Sequence, residues 1–479
     1  MIAFGAETGK IVRMSTWGDF LRIRKRKTLA LIAASLFALL APFTANANAG
    51  SPAQLGNIDS LLDGAGVAQE VGDWPSDFQS LPEASQTSPQ SNCTNTKRDL
   101  KRLRMDGQKR AVCFEWQTAQ ELAKTQGFSS PSAASVVWCG DQAENQVYIA
   151  RDSICSRRGV VVVLVDTLTG TVLGKAYSTI EQEIDTQNGQ PEFFEYMKFD
   201  LTSSDITSSA MTVKVDSTCS LDTSCQQNAD PWDAPRPITV GGSVDGGFTR
   251  LWTQDQGNKS FLISYALTVN IGGAYGSTRW GGNGEPGGGQ YKVRCDKEVG
   301  ATKGCVVPAF TPTFVVDKKY SEARQFVGMV QASMSTHPGW EGRGQPLHRE
   351  SVESEVTKNR NVVCDSTFKA HASTPPPVQC DEWPFARSKE SGRKLGVTSG
   401  ATCQQYMVTS QTVEGKVYLS LTWPGANQGQ FPPADAKCAR ASMPKDQNEG
   451  VGGDLGRKTT QWRLLENDAY WVDAGQPVS

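Results

Sequence analysis

The chain has 479 residues, with 48 lysine and arginine side chains against 50 aspartate and glutamate side chains. Its length predicts about two to four domains of ~100–200 residues each, and its composition excludes both a collagen-like repeat and a wholly disordered chain. The charge is uneven, because residues 1–49 carry seven basic and two acidic side chains and the remaining 430 residues have a net charge of −7. This balance excludes a protein that coats nucleic acid through bulk positive charge.

Residues 1–49 have the features of an export signal. A basic stretch from Arg22 to Lys27 precedes an apolar run from Leu29 to Ala41, and small residues at positions 45–49 provide cleavage sites. The apolar run is shorter than a membrane-spanning helix needs. We therefore expect a signal peptide, with Met14 as an alternative start, and a secreted protein without stable membrane insertion. An uncleaved N-terminal anchor is the alternative interpretation.

All 12 cysteines follow this leader, and an even number in an exported chain is typical of disulfides. Pairing each cysteine with its neighbour along the chain closes short loops, each of which contributes ~2–4 kcal/mol to stability. The predicted pairs are Cys93/Cys113, Cys139/Cys155, Cys219/Cys225, Cys295/Cys305, Cys364/Cys380 and Cys403/Cys438. A zinc site is disfavoured, because the chain contains no Cys-x-x-Cys and only three histidines.

Composition divides the rest of the chain into segments. Residues 50–92 are rich in Ser, Pro, Gln and Gly, which predicts a flexible linker. Residues 93–230 predict a β-rich domain, a small sandwich or barrel with local disulfides, that includes a short helix at residues 116–126 and a hairpin from Gly159 to Gly174. Residues 235–316 predict a second β-rich block.

The second block contains a glycine-rich stretch at residues 272–289. Glycine runs bind phosphates when a strand precedes them and a helix follows, and no Gly-Lys-Ser or Gly-Lys-Thr occurs here. We therefore expect a long surface loop between strands.

The remaining segment, residues 317–479, predicts an α+β domain. Apolar residues recur with helical spacing at residues 320–334, and further helices are expected at residues 351–363 and from Asn448 through Trp462. Residues 417–423 have the pattern of a strand.

The segment Cys380 to Ala386 reads CDEWPFA and sets two adjacent carboxylates against an aromatic and proline shelf. Such carboxylates serve as general bases, as metal ligands or in purely structural roles. This string resembles the signature of the NucA/NucB family of secreted bacterial deoxyribonucleases. Five other segments resemble family positions in the same order: Tyr320 to Glu322, Leu347 to Arg349, Asn359 to Cys364, Asn448 to Leu455 and Arg463 to Val472. The resemblance covers residues 316–477.

The resemblance implies that residues 317–479 form a nuclease domain of ββα-metal type that hydrolyses DNA. It puts Asp381 in the general-base position that histidine occupies in related nucleases. An aspartate with its reference pKa of ~3.9 accepts protons poorly, so a pocket must raise that pKa or a metal ion must acidify the water. One Mg²⁺ or Mn²⁺, held by few oxygen ligands, would serve as the cofactor.

Three groups of candidate site residues follow. The catalytic candidates are Asp381, Glu382 and His348; the substrate-binding candidates are Arg349, Arg360 and Arg463; the metal-binding candidates are Glu382, Asn448 and Glu449. Alternative interpretations are a helix cap for Asn448, a solvated first-turn acid for Glu449 and solvated or structural roles for the others. Residues 315–479 hold 19 basic and 18 acidic side chains, so local patches must attract the DNA substrate.

Two features depart from the family pattern. Glu390-Ser391-Gly392 stands where family members have Glu-Gly-Gly or Glu-Gly-Ala, and residues 393–437 form a long insertion. An insertion of this length is tolerable energetically, but it would restrict the substrate range if it covered the active face.

The competing hypothesis is an exported β-rich module that binds polysaccharide or a partner protein and carries a degenerate nuclease domain. In that case Tyr275 and Trp280, beside the glycine-rich stretch, would stack on sugars. A delivered toxin in which the β-rich blocks restrain the nuclease is a further possibility, and the sequence identifies no inhibitor or immunity partner.

Overall fold

The computed structural model describes residues 107–116, 147–207, 211–219, 223–227, 234–282, 291–413, 416–422 and 433–475, with the single positions 79, 80, 93, 100, 103 and 232. These residues belong to one compact unit that spans residues 57–479. The expected signal peptide and residues 117–126 of the expected short helix lie outside the described residues. No helix in the described part of the chain is long and apolar enough to cross a membrane.

Among the described residues, the first sheet has eight strands and is antiparallel throughout. Its centre is the hairpin expected from the sequence. The strands are β1 (Gln79–Ser80), β2 (Arg110–Trp116), β3 (Val147–Ile149), β4 (Ser153–Asp166), β5 (Val172–Thr186), β6 (Glu192–Ser204), β8 (Cys225–Gln227) and β10 (Ser243–Trp252). Their order is β1-β3-β4-β5-β6-β10-β8, with β2 also paired to β4.

The second sheet has six strands in the described part of the chain, and β11 lies at its centre. The strands are β7 (Met211–Cys219), β9 (Arg236–Ile238), β11 (Asn258–Ile271), β12 (Ala274–Trp280), β13 (Lys292–Asp296) and β14 (Gly304–Val306). From Phe261 to Ile271, buried and half-buried residues alternate along β11. This alternation turns one face of the sheet toward the core, as the period of two along a strand requires.

The two sheets pack on each other and share one hydrophobic core. A single cluster of buried residues includes Phe114 and Val162 from the first sheet and Leu267 and Val293 from the second. The cluster therefore spans both predicted blocks, 93–230 and 235–316, and the chain crosses between the sheets several times. The two blocks form one β-sandwich, and the expected boundary between them does not separate two cores.

Local disulfides reinforce this fold, as the cysteine spacing predicts. Five of the six expected pairs are present: Cys93–Cys113, Cys219–Cys225, Cys295–Cys305, Cys364–Cys380 and Cys403–Cys438. Cys155 is also disulfide-bonded, while Cys139 of the sixth expected pair lies outside the described residues.

The C-terminal part contains two smaller sheets and three α-helices among its described residues. One sheet has the order β15-β21-β16 and the other β17-β20-β18-β19. The strands are β15 (Thr313–Val315), β16 (Leu347–His348), β17 (Val378–Trp383), β18 (Gln404–Val413), β19 (Lys416–Thr422), β20 (Ala439–Pro444) and β21 (Ala469–Asp473). The helices are α1 (Ser321–Ser333), α2 (Glu353–Val363) and α3 (Lys445–Gln461), and a short 3-10 helix spans Gly400–Thr402.

The sandwich and the C-terminal part meet through buried ion pairs. Arg463, at 2% exposure, donates to both carboxylate oxygens of Asp296 at 2.8 and 2.6 Å. In the opposite direction, Arg294 and Arg151 of the sandwich donate to Asp468. These contacts join the segment after α3 to β13 of the second sheet and to the turn between β3 and β4 of the first sheet.

Two expectations about local structure need correction. The stretch expected to be a surface loop at residues 272–289 forms strand β12 over Ala274–Trp280, because Gly272 and Gly273 adopt positive φ and make a tight turn after β11. In the expected linker, Gln79 and Ser80 form β1 and pair with β3. The helices expected at residues 320–334 and 351–363 are confirmed by α1 and α2.

Candidate active site

Strand β17, at the edge of the four-stranded sheet, carries the first four residues of the CDEWPFA motif, Cys380 to Trp383. It begins after the three consecutive prolines at residues 375–377 and ends at Trp383, before Pro384. Because proline lacks a backbone N–H, the prolines limit the strand at both ends. β17 pairs antiparallel with β20, and Asp381 lies opposite Ala441. The insertion adds β18 and β19 on the other side of β20, so β17 remains at the edge.

The register of β17 decides which side chains share a face. Gln379, Asp381 and Trp383 alternate with Cys380 and Glu382 along the strand, so the two sets point to opposite faces. Trp383 packs in one hydrophobic cluster with Val451 and Leu455 of α3. The face that carries Asp381 is therefore the face covered by α3.

Asp381 is buried, with 6% of its surface exposed. The pKa of its carboxyl is raised to about 8, mainly by burial and also by the neighbouring charge of Glu382. A backbone hydrogen bond from Glu382 and the charge of Arg360 oppose this rise. The backbone N–H of Glu382 donates to Asp381 Oδ1 at 3.0 Å. Burial thus shifts the pKa of Asp381 in the direction that a general base near neutral pH requires, since desolvation disfavours the charged form of the carboxyl.

The first turns of α3 bring Asn448 and Glu449 to the same face of β17. Asn448 Nδ2 donates to Gln379 Oε1 at 2.9 Å and to the backbone oxygen of Cys380 at 3.3 Å. Gln379 Nε2 in turn donates to Glu449 Oε1 at 2.8 Å. Asn448 does not cap the helix, because α3 begins at Lys445 and its N-cap residue is Pro444.

Gln379 connects both metal-binding candidates on α3 to the strand that carries Asp381, and the sequence analysis did not identify it. It lies two residues before Asp381, a spacing that puts both side chains on one face of a strand. That spacing was the available signal in the sequence.

Glu382 is also buried, but on the other face of β17. Its Oε1 is 3.4 Å from Arg360 Nε of α2, and its Oε2 is 3.6 Å from Cys364 Sγ. Burial raises the pKa of the Glu382 carboxyl, and the Arg360 charge opposes this. The structure does not bring Glu382 together with Asn448 and Glu449, because neighbouring side chains on a strand point in opposite directions.

The α3 face carries oxygen donors of the type that a hard divalent cation prefers. In the described part of the chain, no group of three or more His, Cys, Asp or Glu side chains is arranged to hold a metal ion. Mg²⁺ and Mn²⁺ nevertheless prefer oxygen ligands, and Mg²⁺ keeps several of its waters, so one or two carboxylates and an amide suffice. Asn448 and Glu449 supply such oxygens, and the Glu449 side chain is 58% exposed.

His348 and Arg349 lie in and beside β16, in the other C-terminal sheet. The ring Nδ1 of His348 is 2.8 Å from Glu390 Oε1, and its backbone N–H donates to Glu390 Oε2. Arg349 is half-buried, and its guanidinium donates to the backbone oxygen of Leu464. In the described contacts, His348 pairs with Glu390. Arg349 connects the end of β16 to the segment that follows α3.

The three arginines expected to bind substrate differ in exposure. The Arg360 side chain is 59% exposed, whereas Arg463 is buried at the junction with the sandwich. All three guanidinium nitrogens of Arg463 donate inside the protein, to Asp296, Asn188 and Thr302. Arg463 therefore has no nitrogen left to present to a phosphate.

The two aromatic residues that the competing hypothesis assigns to sugar binding also differ in exposure. Trp280 is fully buried in the sandwich core and stacks on Tyr265 at a centroid distance of 5.1 Å. Tyr275 is 56% exposed. Stacking on a sugar requires an open ring face, so Trp280 cannot contribute to such a platform.

Comparison with known proteins identifies no relative of the chain. No known protein family matches the chain, and no curated protein is significantly similar to it. The resemblance of the CDEWPFA segment to the NucA/NucB signature thus rests on the residues themselves.

Proposed function

We propose that residues 317–479 form a divalent-metal-dependent nuclease domain of ββα-metal type, which hydrolyses phosphodiester bonds of DNA after export. The order of elements supports this proposal. Strand β20 leads directly into α3, β17 pairs antiparallel with β20, and α3 contacts both strands. The CDEWPFA segment on β17 supplies the likeness to a family of secreted deoxyribonucleases.

The observation that carries the proposal is the environment of Asp381. A nuclease of this kind needs a base that takes a proton from water near neutral pH. Burial raises the pKa of Asp381 to about 8, which removes the main chemical objection to an aspartate in that role. A buried carboxyl without an ion-pair partner is costly, and perturbed groups of this kind concentrate at functional sites.

Each side chain then has a specific task. Asp381 accepts the proton of the attacking water, and Asn448 and Glu449 would hold the cation. The cation, when bound, neutralises negative charge that develops on the phosphate and the departing oxygen. Gln379 orients Asn448 and Glu449 through its amide.

The decisive experiment compares Asp381→Asn with the wild type on plasmid DNA in Mg²⁺, in Mn²⁺ and in EDTA. We expect cleavage by the wild type in the presence of either ion, none in EDTA, and a loss of at least ~10²-fold in the variant, the scale of a general base. Asp446→Asn is the matched control, since Asp446 is an exposed acid in the first turn of α3. Cleavage by Asp381→Asn within about twofold of the wild type would overturn the proposed mechanism.

A further inference from the structure

Glu382 and Arg360 form a pair in which one partner is buried and the other exposed. Glu382 is 5% exposed, whereas the Arg360 side chain is 59% exposed. The contact joins Glu382 Oε1 to Arg360 Nε, the nitrogen nearest the side-chain stem, at 3.4 Å. The carboxylate therefore holds the guanidinium from its inner side.

The outer side of this guanidinium is unused. Among the residues that the structure describes, Nη1 and Nη2 of Arg360 donate no hydrogen bond, in contrast to Arg463, whose three nitrogens are all engaged. Terminal guanidinium nitrogens form the planar fork that matches two oxygens of a phosphate. Because Glu382 contacts Nε of Arg360, Nη1 and Nη2 remain free for a phosphate, and the contact sets the direction in which they point.

The pair also lies close to the proposed base. Glu382 directly follows Asp381 and donates its backbone N–H to Asp381 Oδ1. Burial raises the pKa of both carboxyls, and the Arg360 charge opposes the rise in each of them. The guanidinium is thus near both side chains, even though these point to opposite faces of β17.

The disulfide Cys364–Cys380 restrains the same geometry. It joins the end of α2, the helix that carries Arg360, to the residue just before Asp381. Cys364 Sγ also contacts Glu382. The distance between α2 and β17 is therefore fixed covalently next to the pair.

We propose that Glu382 is a positioning residue that orients Arg360, and that Arg360 grips a phosphate of the nucleic-acid substrate beside Asp381. This assignment rests on the proposed function and gives Glu382 a role other than metal binding. The neutral amide introduced by Glu382→Gln would still accept a hydrogen bond from Arg360, but the variant would lose the charge that anchors the guanidinium.

The test separates DNA binding from cleavage. Fluorescence anisotropy of a labelled DNA duplex in EDTA measures binding alone, and steady-state cleavage in Mg²⁺ measures KM and kcat. We expect Arg360→Lys to weaken binding about tenfold, because a lysine keeps the charge but lacks the fork. We expect Glu382→Gln to weaken binding to a smaller extent and to raise KM more than it lowers kcat, at an unchanged Mg²⁺ requirement.

Two comparisons complete the design. In the Arg360→Lys background, Glu382→Gln should add no further loss, since the two residues act through one contact. Lys358→Gln is the matched control, because Lys358 is an exposed cation on the same helix. Lys358 and Arg360 are both exposed on α2, so variants at these positions are expected to fold. Because Glu382 is buried, circular dichroism is used to verify that Glu382→Gln is folded.

Two results would overturn the inference. One is unchanged DNA binding by Arg360→Lys; the other is a Glu382→Gln variant that binds DNA normally but needs more Mg²⁺, which would restore Glu382 as a metal ligand. Wild-type protein that cleaves DNA while Arg360→Lys binds normally refutes only this inference. Wild-type protein that fails to cleave DNA in either ion refutes the proposed function.

Discussion

Asp381 occupies a position that costs folding free energy near neutral pH. Its carboxyl is buried, and its pKa in the folded protein is about 8, against a reference value of ~3.9 in an unfolded chain. Below pH ~4 both states bind the proton, so this group has no effect on stability. As the pH rises from ~4 to ~8, the unfolded state releases its proton first, and the folded state is progressively disfavoured.

This reasoning predicts that Asp381→Asn stabilises the metal-free protein while abolishing cleavage. Each unit of pKa shift corresponds to about 1.4 kcal/mol, so we expect the variant to be more stable by about 1–4 kcal/mol at pH 7. The difference should vanish near pH 4. Urea denaturation of both proteins in EDTA across this pH range measures the effect.

Asp446→Asn serves again as the control, and it should leave the denaturation midpoint unchanged. An Asp381→Asn variant that is less stable than the wild type at pH 7 would show that the carboxylate is ionised and structurally important in the folded state. Activity lost together with stability gained would instead identify a residue retained for chemistry.

At the scale of single elements, α3 has an unusual composition for a helix that bears a site. Four glycines, at positions 450, 452, 453 and 456, lie within it, and each lowers its intrinsic helix propensity. Packing of Val451 and Leu455 in the core holds the helix in place. One glycine has a steric reason: a Cβ on Gly450 would overlap the ring of Tyr320, the residue that precedes α1.

We predict opposite effects for two alanine substitutions in this helix. Gly450→Ala forces the Tyr320 ring away and should cost about 1–3 kcal/mol, the usual penalty of overpacking. Gly452→Ala meets no atom within 4 Å and should stabilise the protein by about 0.5–1 kcal/mol. Denaturation midpoints of the two variants, measured side by side, give the comparison.

Gly450→Ala should also reduce DNA cleavage, because Asn448 and Glu449 lie in the adjacent turn, and Gly452→Ala should not. Equal stability of the two variants would mean that Tyr320 moves without cost and that the close approach has no structural importance.

At the scale of the whole molecule, buried ion pairs join the β-sandwich to the C-terminal part. Asp296 is fully buried, and its ion pair with Arg463 crosses the junction. Arg463 itself adopts a positive φ of 48°, a conformation that non-glycine residues rarely adopt. The junction therefore holds both a buried ion pair and an uncommon backbone conformation.

We predict that Arg463→Met destabilises the protein by about 3–5 kcal/mol, because it leaves the Asp296 carboxylate buried without a partner. Arg457→Met is the control: Arg457 is on α3, its side chain is 70% exposed, and exposed ion pairs contribute little. Denaturation tests the structural role of Arg463 as the partner of Asp296, and DNA anisotropy tests its predicted role as a phosphate contact. Weakened DNA binding with unchanged stability would support the role predicted from sequence, a phosphate contact.

The local structure of the protein can be predicted from its sequence. The strands β4, β5 and β11 and the helices α1 and α2 follow from side-chain periodicity, which depends only on neighbours along the chain. The five described disulfides join cysteines consecutive in sequence, since short loops cost little entropy to close. The CDEWPFA motif pointed to Asp381, and the structure places this residue on strand β17.

The way in which these elements come together depends on tertiary contacts. These contacts merge two apparent β-rich blocks into one sandwich, turn Glu382 toward Arg360 and away from α3, and bury Arg463 against Asp296. Each outcome depends on contacts between residues far apart in sequence. Periodicity cannot identify such partners, because a strand or a charged side chain has the same local pattern whichever partner it meets.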